Sequence, residues 1–428
     1  MDQVELLHEF HAGEVSIRDY ISQIESSFEK REPSVLAFIP EENRFKRLRK
    51  EAEDLSSRYP DPQNRPSLFG MLVGVKDIFH VDGFVTQAGS RLPSDELQGD
   101  EAESVTLLKK AGALIMGKTV TTEFAYFTPG PTRNPHNPEH SPGGSSSGSA
   151  AAVGAGLCPL ALGTQTIGSV IRPAAFCGVV GLKPTYERVS RVGVIPLSPS
   201  LDHVGFFTPD VSTAKLVAPF LYVDWDDTSH LDSRPKLGIP SGPYLVCASD
   251  YALARFRTIC DSLLDAGYVL RRIPVMDDFQ EIRERHDVIM SAEAAQVHER
   301  WFEKYENMYS PKFTELVKRG QAVTNFQLQN ALENRDNFRD QMTRIMNDND
   351  IDLWICPPTT GPAPRGLEST GDPIMNLPWT QIGFPAVNLP TSKTEGDLPM
   401  GLQIIGKWNA DEELLAWSEE IEKVLSPK

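Results

Sequence analysis

The stretch GGSSSGSAAAVGAGLCPLALGTQTIGSVIRP, from Gly143 to Pro173, decides the fold and the chemistry expected of this chain. It holds no charged residue before Arg172 and is dense in glycine, serine and alanine. A core strand would favour valine and isoleucine, and a flexible linker would not contain the apolar run AAAVGAGLCPLALG. Glycines let backbone N–H groups approach a ligand closely, and serines can act as nucleophiles. The stretch therefore predicts a buried catalytic floor, with hydroxyl groups on both sides of an apolar segment.

Strands and helices are predicted to alternate on both sides of this stretch. The patterns that predict strands cover residues 68–75, 113–117, 236–240 and 268–275. The patterns that predict helices cover residues 3–57, 101–111, 150–156, 250–266 and 278–349. Such alternation is typical of a sheet with helices on both faces. We therefore expect one α/β domain over residues 1–428, with a central mixed sheet, core motifs at 67–210 and a more variable, helix-rich half at 215–350.

Composition and charge place the chain among soluble globular proteins. It has 428 residues, of which 40% are hydrophobic and 24% charged, so it is long enough to bury a large core without disulfides. The net charge of −17 argues against a nucleic-acid-binding surface, which needs clustered lysine and arginine. No run approaches the ~18 apolar residues of a membrane helix. We therefore expect neither a nucleic-acid nor a membrane partner.

The cysteines and the first residues favour a cytoplasmic protein. The five cysteines are an odd number with no CxxC spacing, which predicts reduced and mostly buried thiols. The sequence MDQVELLHEF has an acidic, amphipathic helix pattern and lacks the basic and apolar regions of a signal peptide. A cytoplasmic location is therefore expected.

Three motifs, in this order along the chain, resemble those of the amidase signature family. They are GVKD at 74–77, GGSSSGS at 143–149 and GTQTIGSVIRPAAFCG at 163–178. The resemblance is strong over residues 68–209 and weaker over 351–406, whereas no motif matches over 215–350. Within the family, the motifs are most similar to those of malonamidase-type hydrolases of small amides. The resemblance implies one amidase-signature domain, a Ser–cis-Ser–Lys triad, and no metal or other cofactor.

The resemblance assigns Lys76, Ser145 and Ser169 to this triad. Ser169 is the nucleophile, Lys76 is the base, and Ser145, which follows a cis peptide bond, relays protons between them. A free lysine has a pKa of ~10.4 and is protonated at neutral pH. Burial disfavours the ammonium form, so a desolvated Lys76 can act as a base. Each motif alone would indicate a surface lysine or a flexible polar loop, but their joint occurrence favours the catalytic interpretation.

The turn that contains Ser169 supplies the expected oxyanion hole. The candidate donors are the backbone N–H groups of Thr166, Ile167, Gly168 and Ser169. Ile167 stands where the family usually has a small residue, so it adds an apolar wall beside the nucleophile. Arg172 matches the arginine with which malonamidase-like members bind a substrate carboxylate. A structural ion pair is the alternative role of Arg172, and both roles remain open.

Other polar residues near the motifs have structural interpretations. Asp202 is predicted to fix a loop, Lys183 to be structural and Cys177 to be a small buried side chain. The histidines near the motifs lack the spacing of metal ligands and are expected to be exposed or to form structural hydrogen bonds. These histidines are His136, His140 and His203.

We predict an amidase that cleaves the C–N bond of a small amide or carbamate through a Ser169 acyl-enzyme, with ester cleavage as a side activity. One alternative is the glutamine-hydrolysing (A-type) component of a glutamyl-tRNA amidotransferase, although the unmatched 215–350 segment and the position of Arg172 argue against it. Another is a non-catalytic scaffold on the same fold, which the intact triad disfavours. Acid amides, aliphatic amides, aryl amides and urethanes all remain open, and Ile167 favours neutral substrates over malonamate. Because dimers are common in the family, a homodimer is a further expectation.

Overall fold

One ten-stranded sheet runs through the computed structural model, which describes residues 3–226 and 233–425. Its strands are β1 (Leu72–Lys76), β2 (Leu114–Thr119), β3 (Leu160–Gln165), β4 (Val180–Lys183), β5 (His203–Thr208), β6 (Lys236–Ser241), β7 (Val269–Pro274), β8 (Leu353–Cys356), β9 (Ala386–Lys393) and β10 (Pro399–Ile405). They lie in the order β2-β1-β3-β5-β4-β9-β10-β8-β6-β7. The pairs β1–β2, β1–β3, β6–β7 and β6–β8 are parallel and the others are antiparallel, so the sheet is mixed as predicted.

Helices cover both faces of this sheet, which confirms the predicted α/β class. The described part of the chain holds thirteen: α1 (Gln3–Ala12), α2 (Ile17–Val35), α3 (Arg44–Arg58), α4 (Glu103–Lys110), α5 (Ser147–Gly154), α6 (Ile171–Cys177), α7 (Val211–Leu221), α8 (Asp250–Asp265), α9 (Phe279–Tyr305), α10 (Pro311–Gln321), α11 (Asn325–Asp348), α12 (Leu377–Gln381) and α13 (Asp411–Leu425). Among these described helices, none is long and apolar enough to cross a membrane. The short helices α5 and α6 pack on the central strands, so the glycine- and serine-rich stretch lies in the core.

The central strands are buried along their whole length because helices cover them from both sides. Every residue of β1, β2 and β3 is buried, and their sequences LVGVK, LIMGKT and LALGTQ are apolar or small with few exceptions. Continuous burial of this kind is typical of parallel strands that are covered on two faces. The polar residues that end β1 and β3 are therefore buried too, and they need partners inside the protein.

The first core strand begins later than the sequence pattern indicates. It starts at Leu72, whereas the apolar run that predicts it starts at Leu68. Residues 68–71 form a turn instead, in which the Met71 N–H donates to the carbonyl of Leu68. Gly70 has φ +82°, which glycine adopts without steric cost. The apolar residues of this segment are buried in a turn rather than in the sheet.

The helix-rich half shares the sheet with the motif-bearing half. Strands β6 and β7 lie within residues 215–350, and β6 pairs with β8. The long helix α9 packs closely on α10 at Gly320, where a Cβ atom would lie 1.8 Å from the carbonyl oxygen of Ser291. This close approach requires glycine and fixes α10 against α9. The unmatched segment is therefore built into the same fold.

Candidate active site

Lys76 is the last residue of β1, and its side chain is fully buried, with 0% of its surface exposed. Its Nζ atom contacts the Ser145 Oγ atom at 2.9 Å and the Thr164 Oγ1 atom at 2.7 Å. Burial holds the pKa of Lys76 well below its usual value, and the negative charge of Asp202 only partly opposes this effect. A neutral amine is thus placed next to two hydroxyl groups.

Ser145 lies between β2 and α5, in a segment held by backbone contacts. The Gly144–Ser145 peptide bond is cis, as the resemblance implies. The carbonyl of Gly144 accepts a hydrogen bond from Arg172 Nη2 at 2.7 Å. The carbonyl of Ser145 accepts one from the Thr122 N–H at 3.2 Å. Both peptide oxygens that flank the Ser145 Cα atom are therefore anchored, and its hydroxyl is held towards Lys76.

The turn between β3 and α6 carries Ser169 and is fixed by one side chain. The Oε1 atom of Gln165 accepts the N–H groups of Val170 and Ile171, at 2.8 and 3.0 Å. The carbonyl of Ile167 accepts the hydroxyl of Thr380 at 2.6 Å. Within the described residues, the N–H groups of Ile167, Gly168 and Ser169 donate no hydrogen bond to the protein. These donors are available to an oxyanion.

Ser145 and Ser169 line one pocket of ≈ 290 Å³. The predicted residues Thr166, Ile167 and Arg172 line the same pocket, so the fold brings the triad side chains and the predicted turn together. The remaining walls are apolar or hydroxyl-bearing and come from four other segments: Thr122, Ala125, Tyr126, Phe127, Leu197, Thr370 and Pro373. An outer vestibule shares Ile167 with this pocket. Ile167 therefore forms a wall at the entrance to the serine pair.

The guanidinium of Arg172 is buried and bound to the protein's own oxygen atoms. Nη1 donates to the carbonyl of Gly371, and Nη2 donates to the carbonyl of Gly144 and to the Thr370 hydroxyl. Burial lowers the pKa of Arg172 to about 10, and Asp372 partly opposes this. The structural partners of Arg172 are thus carbonyl and hydroxyl groups rather than the carboxylate of a predicted ion pair.

Comparison with known proteins gives the family. Residues 17–415 match the Amidase family. The chain belongs to this family. It is 33% identical to the A-type component of the glutamyl-tRNA(Gln) amidotransferase from Thermus thermophilus, an alignment that covers 96% of this chain and 95% of the relative. The corresponding protein of Methanospirillum hungatei is 33% identical over 81% of this chain and 91% of the relative. A crystal structure of an amidase superposes with a TM-score of 0.89 at 28% identity, over the full length of both chains.

The structure adds site residues of this amidase-family protein that the motifs did not single out. Thr164 precedes Thr166 by two positions in GTQT, and the period of a strand puts both side chains on one face. Glu123 accepts the Ser310 N–H with both carboxylate oxygens, at 3.0 and 3.2 Å. The next residues, Phe124 and Ala125, have φ values of 45° and 61°. The helix-rich half therefore fixes a strained turn that lines the pocket.

The other polar residues singled out in the sequence have structural partners or lie away from the pocket. The His136 ring contacts the Cys177 carbonyl at 2.9 Å, and the His203 ring contacts the Leu201 carbonyl at 2.7 Å. His203 is buried rather than exposed, and burial lowers its pKa well below the usual value. Asp202 fixes a loop as predicted, since it accepts the N–H groups of Leu197 and Ser198. Within residues 3–226 and 233–425, no group of His, Cys, Asp or Glu is arranged to hold a metal ion.

Proposed function

We propose that this protein hydrolyses a neutral amide or carbamate by acyl transfer to Ser169, with Lys76 as the base and Ser145 as the relay. The supporting observation is that the buried Nζ of Lys76 contacts two hydroxyl groups, those of Ser145 and Thr164. A hydroxyl group both donates and accepts, so it suits a neutral amine and can pass a proton in either direction. Membership of the Amidase family agrees with this chemistry.

The proposed reaction has two halves that use the same relay. The Ser169 hydroxyl passes its proton to Ser145, which passes its own proton to Lys76, while the Ser169 oxygen bonds to the substrate carbonyl carbon. The oxyanion accepts hydrogen bonds from the turn, and on collapse the C–N bond breaks. The leaving nitrogen takes a proton from Ser145, which regains one from the Lys76 ammonium. Water then attacks the ester, gives its proton to the relay and returns Ser169 to the hydroxyl form.

The surroundings of Arg172 support a neutral substrate. Both of its Nη atoms already donate to oxygen atoms of the protein, from Gly371, Gly144 and Thr370. A substrate carboxylate would have to displace these contacts inside a buried site, which costs free energy. Ile167 adds an apolar surface at the pocket. We therefore place malonamate-like acids below uncharged amides and carbamates of equal size.

The A-type component of a glutamyl-tRNA amidotransferase is the second candidate. It is supported by relatives of that kind, one of which shares 33% identity over nearly the whole chain. In that case the same triad would release ammonia from glutamine within a complex. Purification of the native protein from its own cells, followed by native mass spectrometry, separates the two candidates. A stable partner protein, with glutaminase activity only in its presence, would favour this second candidate.

Active-site labelling tests the proposed chemistry without knowledge of the substrate. A fluorophosphonate should modify the wild-type protein once, on the tryptic peptide that contains Ser169. Ser169→Ala should remove the label while the circular dichroism spectrum stays unchanged. Label on Ser145 would reverse the two serine roles, and a folded wild-type protein that takes no label would indicate a non-catalytic scaffold.

A hydrolysis screen then addresses the substrate. The panel should contain an acid amide, an aliphatic amide, an aryl amide and a carbamate of similar size, with an ester as a reference. We expect the uncharged amides and the carbamate to have the higher kcat/KM values. A clear advantage of malonamate over a neutral amide of equal size would contradict the proposed preference.

A further inference from the structure

Asp202 lies across from the turn that carries the proposed oxyanion donors. Strands β3 and β5 are antiparallel, and their last aligned pair joins Gln165 to His203. The next positions along the two chains are Thr166 and Asp202, which therefore face each other where the strands separate. Asp202 is buried, with 8% of its surface exposed. A carboxylate thus stands directly behind the start of the turn.

The carboxylate connects two walls of the catalytic pocket. Oδ1 accepts the Thr166 hydroxyl at 2.5 Å. Oδ2 accepts the N–H groups of Leu197 and Ser198, at 2.8 and 3.0 Å. Thr166 and Leu197 both line the pocket that holds Ser145 and Ser169. One side chain therefore ties the turn to the opposite loop.

Its charge also acts on the base. Burial raises the pKa of Asp202 to about 6, although the Thr166 hydroxyl, the N–H groups of Leu197 and Ser198, and the charge of Arg191 lower it. Asp202 is therefore mainly ionised at neutral pH. Its negative charge raises the pKa of Lys76, against the larger effect of burial. Lys76 and Arg191 are the cations that interact with this carboxylate.

We propose that Asp202 is a positioning residue of the reaction, which through the Thr166 hydroxyl holds the oxyanion turn and the Leu197 wall in register around Ser169. The inference rests on the proposed function. It goes beyond loop fixing, because it assigns the bond to Thr166 a role in the chemical step. A shift of about 1 Å at such a turn can lower the rate about 100-fold.

Thr166→Val tests the bond because it removes the hydroxyl and keeps the side-chain shape. We expect kcat to fall ~10- to 100-fold, with KM within ~3-fold of wild type. Thr166→Ser restores the hydroxyl and should recover most of kcat. Thr185→Val is the matched control, since the Thr185 hydroxyl donates to the buried Asp411 at 2.6 Å, outside the pocket. It should lose a comparable bond and keep kcat within ~2-fold.

Asp202→Asn tests the charge separately from the bond. An asparagine can accept the Leu197 and Ser198 N–H groups with its oxygen and donate to the Thr166 hydroxyl with its amide nitrogen. We expect a smaller loss of kcat than in Thr166→Val. Loss of the negative charge should lower the pKa of Lys76, so the acid limb of the kcat/KM profile should move to lower pH. Thr166→Val should leave that limb in place.

Three results would overturn the inference. They are a Thr166→Val variant with wild-type kcat, a Thr166→Ser variant as damaged as Thr166→Val, and a Thr185→Val variant with the same loss of kcat. An Asp202→Asn loss of kcat equal to that of Thr166→Val would assign the effect to charge and also reject positioning. If the wild-type protein hydrolyses no amide or carbamate, the proposed function fails instead. The two failures are therefore distinguishable.

Discussion

Two buried lysines in this molecule have closely similar settings and different partners. Lys76 ends β1 and Lys183 ends β4, and the surface of each is 0% exposed. Burial lowers the pKa of Lys183 to about 7, with Asp411 opposing, and it lowers that of Lys76 as well. Lys76 contacts the hydroxyls of Ser145 and Thr164, whereas Lys183 donates to the carbonyls of Pro184 and Phe384.

The likeness extends to a threonine–aspartate pair near each lysine. Thr166 donates to Asp202, and Thr185 donates to Asp411. Only the first pair borders the pocket that holds the two serines. A carbonyl oxygen accepts and never donates, so Lys183 can only act as a donor to its two contacts, whereas hydroxyl groups can exchange protons with an amine. Burial and a depressed pKa therefore do not define a base; the chemistry of the partner atoms and access to a pocket do.

The largest expected effect comes from removing the two lysines in parallel. Lys76→Met should lower kcat/KM for the best amide by ~10²- to 10⁴-fold, the usual contribution of a general base. Lys76→Arg should be equally damaging, since arginine keeps its proton near neutrality. Lys183→Met should keep kcat/KM within ~3-fold. Steady-state kinetics on the three folded variants measures this. Substantial activity in Lys76→Arg, or an equal loss in Lys183→Met, would break the distinction between the two sites.

The next effect concerns Arg172, which resembles Lys183 in its partners and lies in the site of Lys76. Its Nη2 atom holds the carbonyl of Gly144, next to the relay serine. Arg172→Ala should therefore lower kcat/KM ~10- to 100-fold for neutral and acidic amides alike. Arg172→Lys should not restore activity, because a lysine cannot supply both Nη donors. A loss confined to the acid amide would instead identify Arg172 as a carboxylate clamp.

The residues that could be predicted from the sequence are those that sit in short local motifs. Lys76, Ser145 and Ser169 each belong to such a motif, and the mixed α/β sheet follows from the alternation of strand and helix patterns. The cis bond before Ser145 was implied only by the resemblance. The start of β1 was misplaced, since an apolar run does not show whether it lies in a strand or in a buried turn.

The partners of the site could not be predicted because they come from distant, irregular segments. The hydroxyl of Thr370, 198 residues from Arg172, occupies one of its donors. The Ser310 N–H, 187 residues from Glu123, fixes the turn that lines the pocket. No local pattern relates such pairs, and only the packed fold brings them together. The choice between a clamp and a structural role for Arg172 was open in the sequence for this reason.

A smaller effect is expected in the pH dependence of stability. The folded pKa of Lys183 is about 7, below the ~10.4 of an unfolded lysine. Between these values the unfolded chain binds a proton that the folded chain does not, so the free energy of unfolding rises with pH. The rise is at most ~1.4 kcal/mol per pH unit for one lysine. Urea unfolding at pH 7, 8 and 9 should show a shallower rise in Lys183→Met than in wild type. Equal slopes would mean that Lys183 is charged in the folded protein.

The smallest effect is a change of preference at Ile167, the wall that only the Lys76 site possesses. Its side chain lines both the serine pocket and the vestibule. Ile167→Ala removes apolar contact and widens the entrance while the backbone N–H stays in place. A few buried methylene groups are worth ~0.8 kcal/mol each, so the ratio of kcat/KM for a bulky apolar amide to that for acetamide should fall ~10-fold. Ile167→Val, which deletes a single methylene, should fall in between. If Ile167→Ala lowered kcat equally for both substrates, the side chain would be supporting the turn and not selecting the substrate.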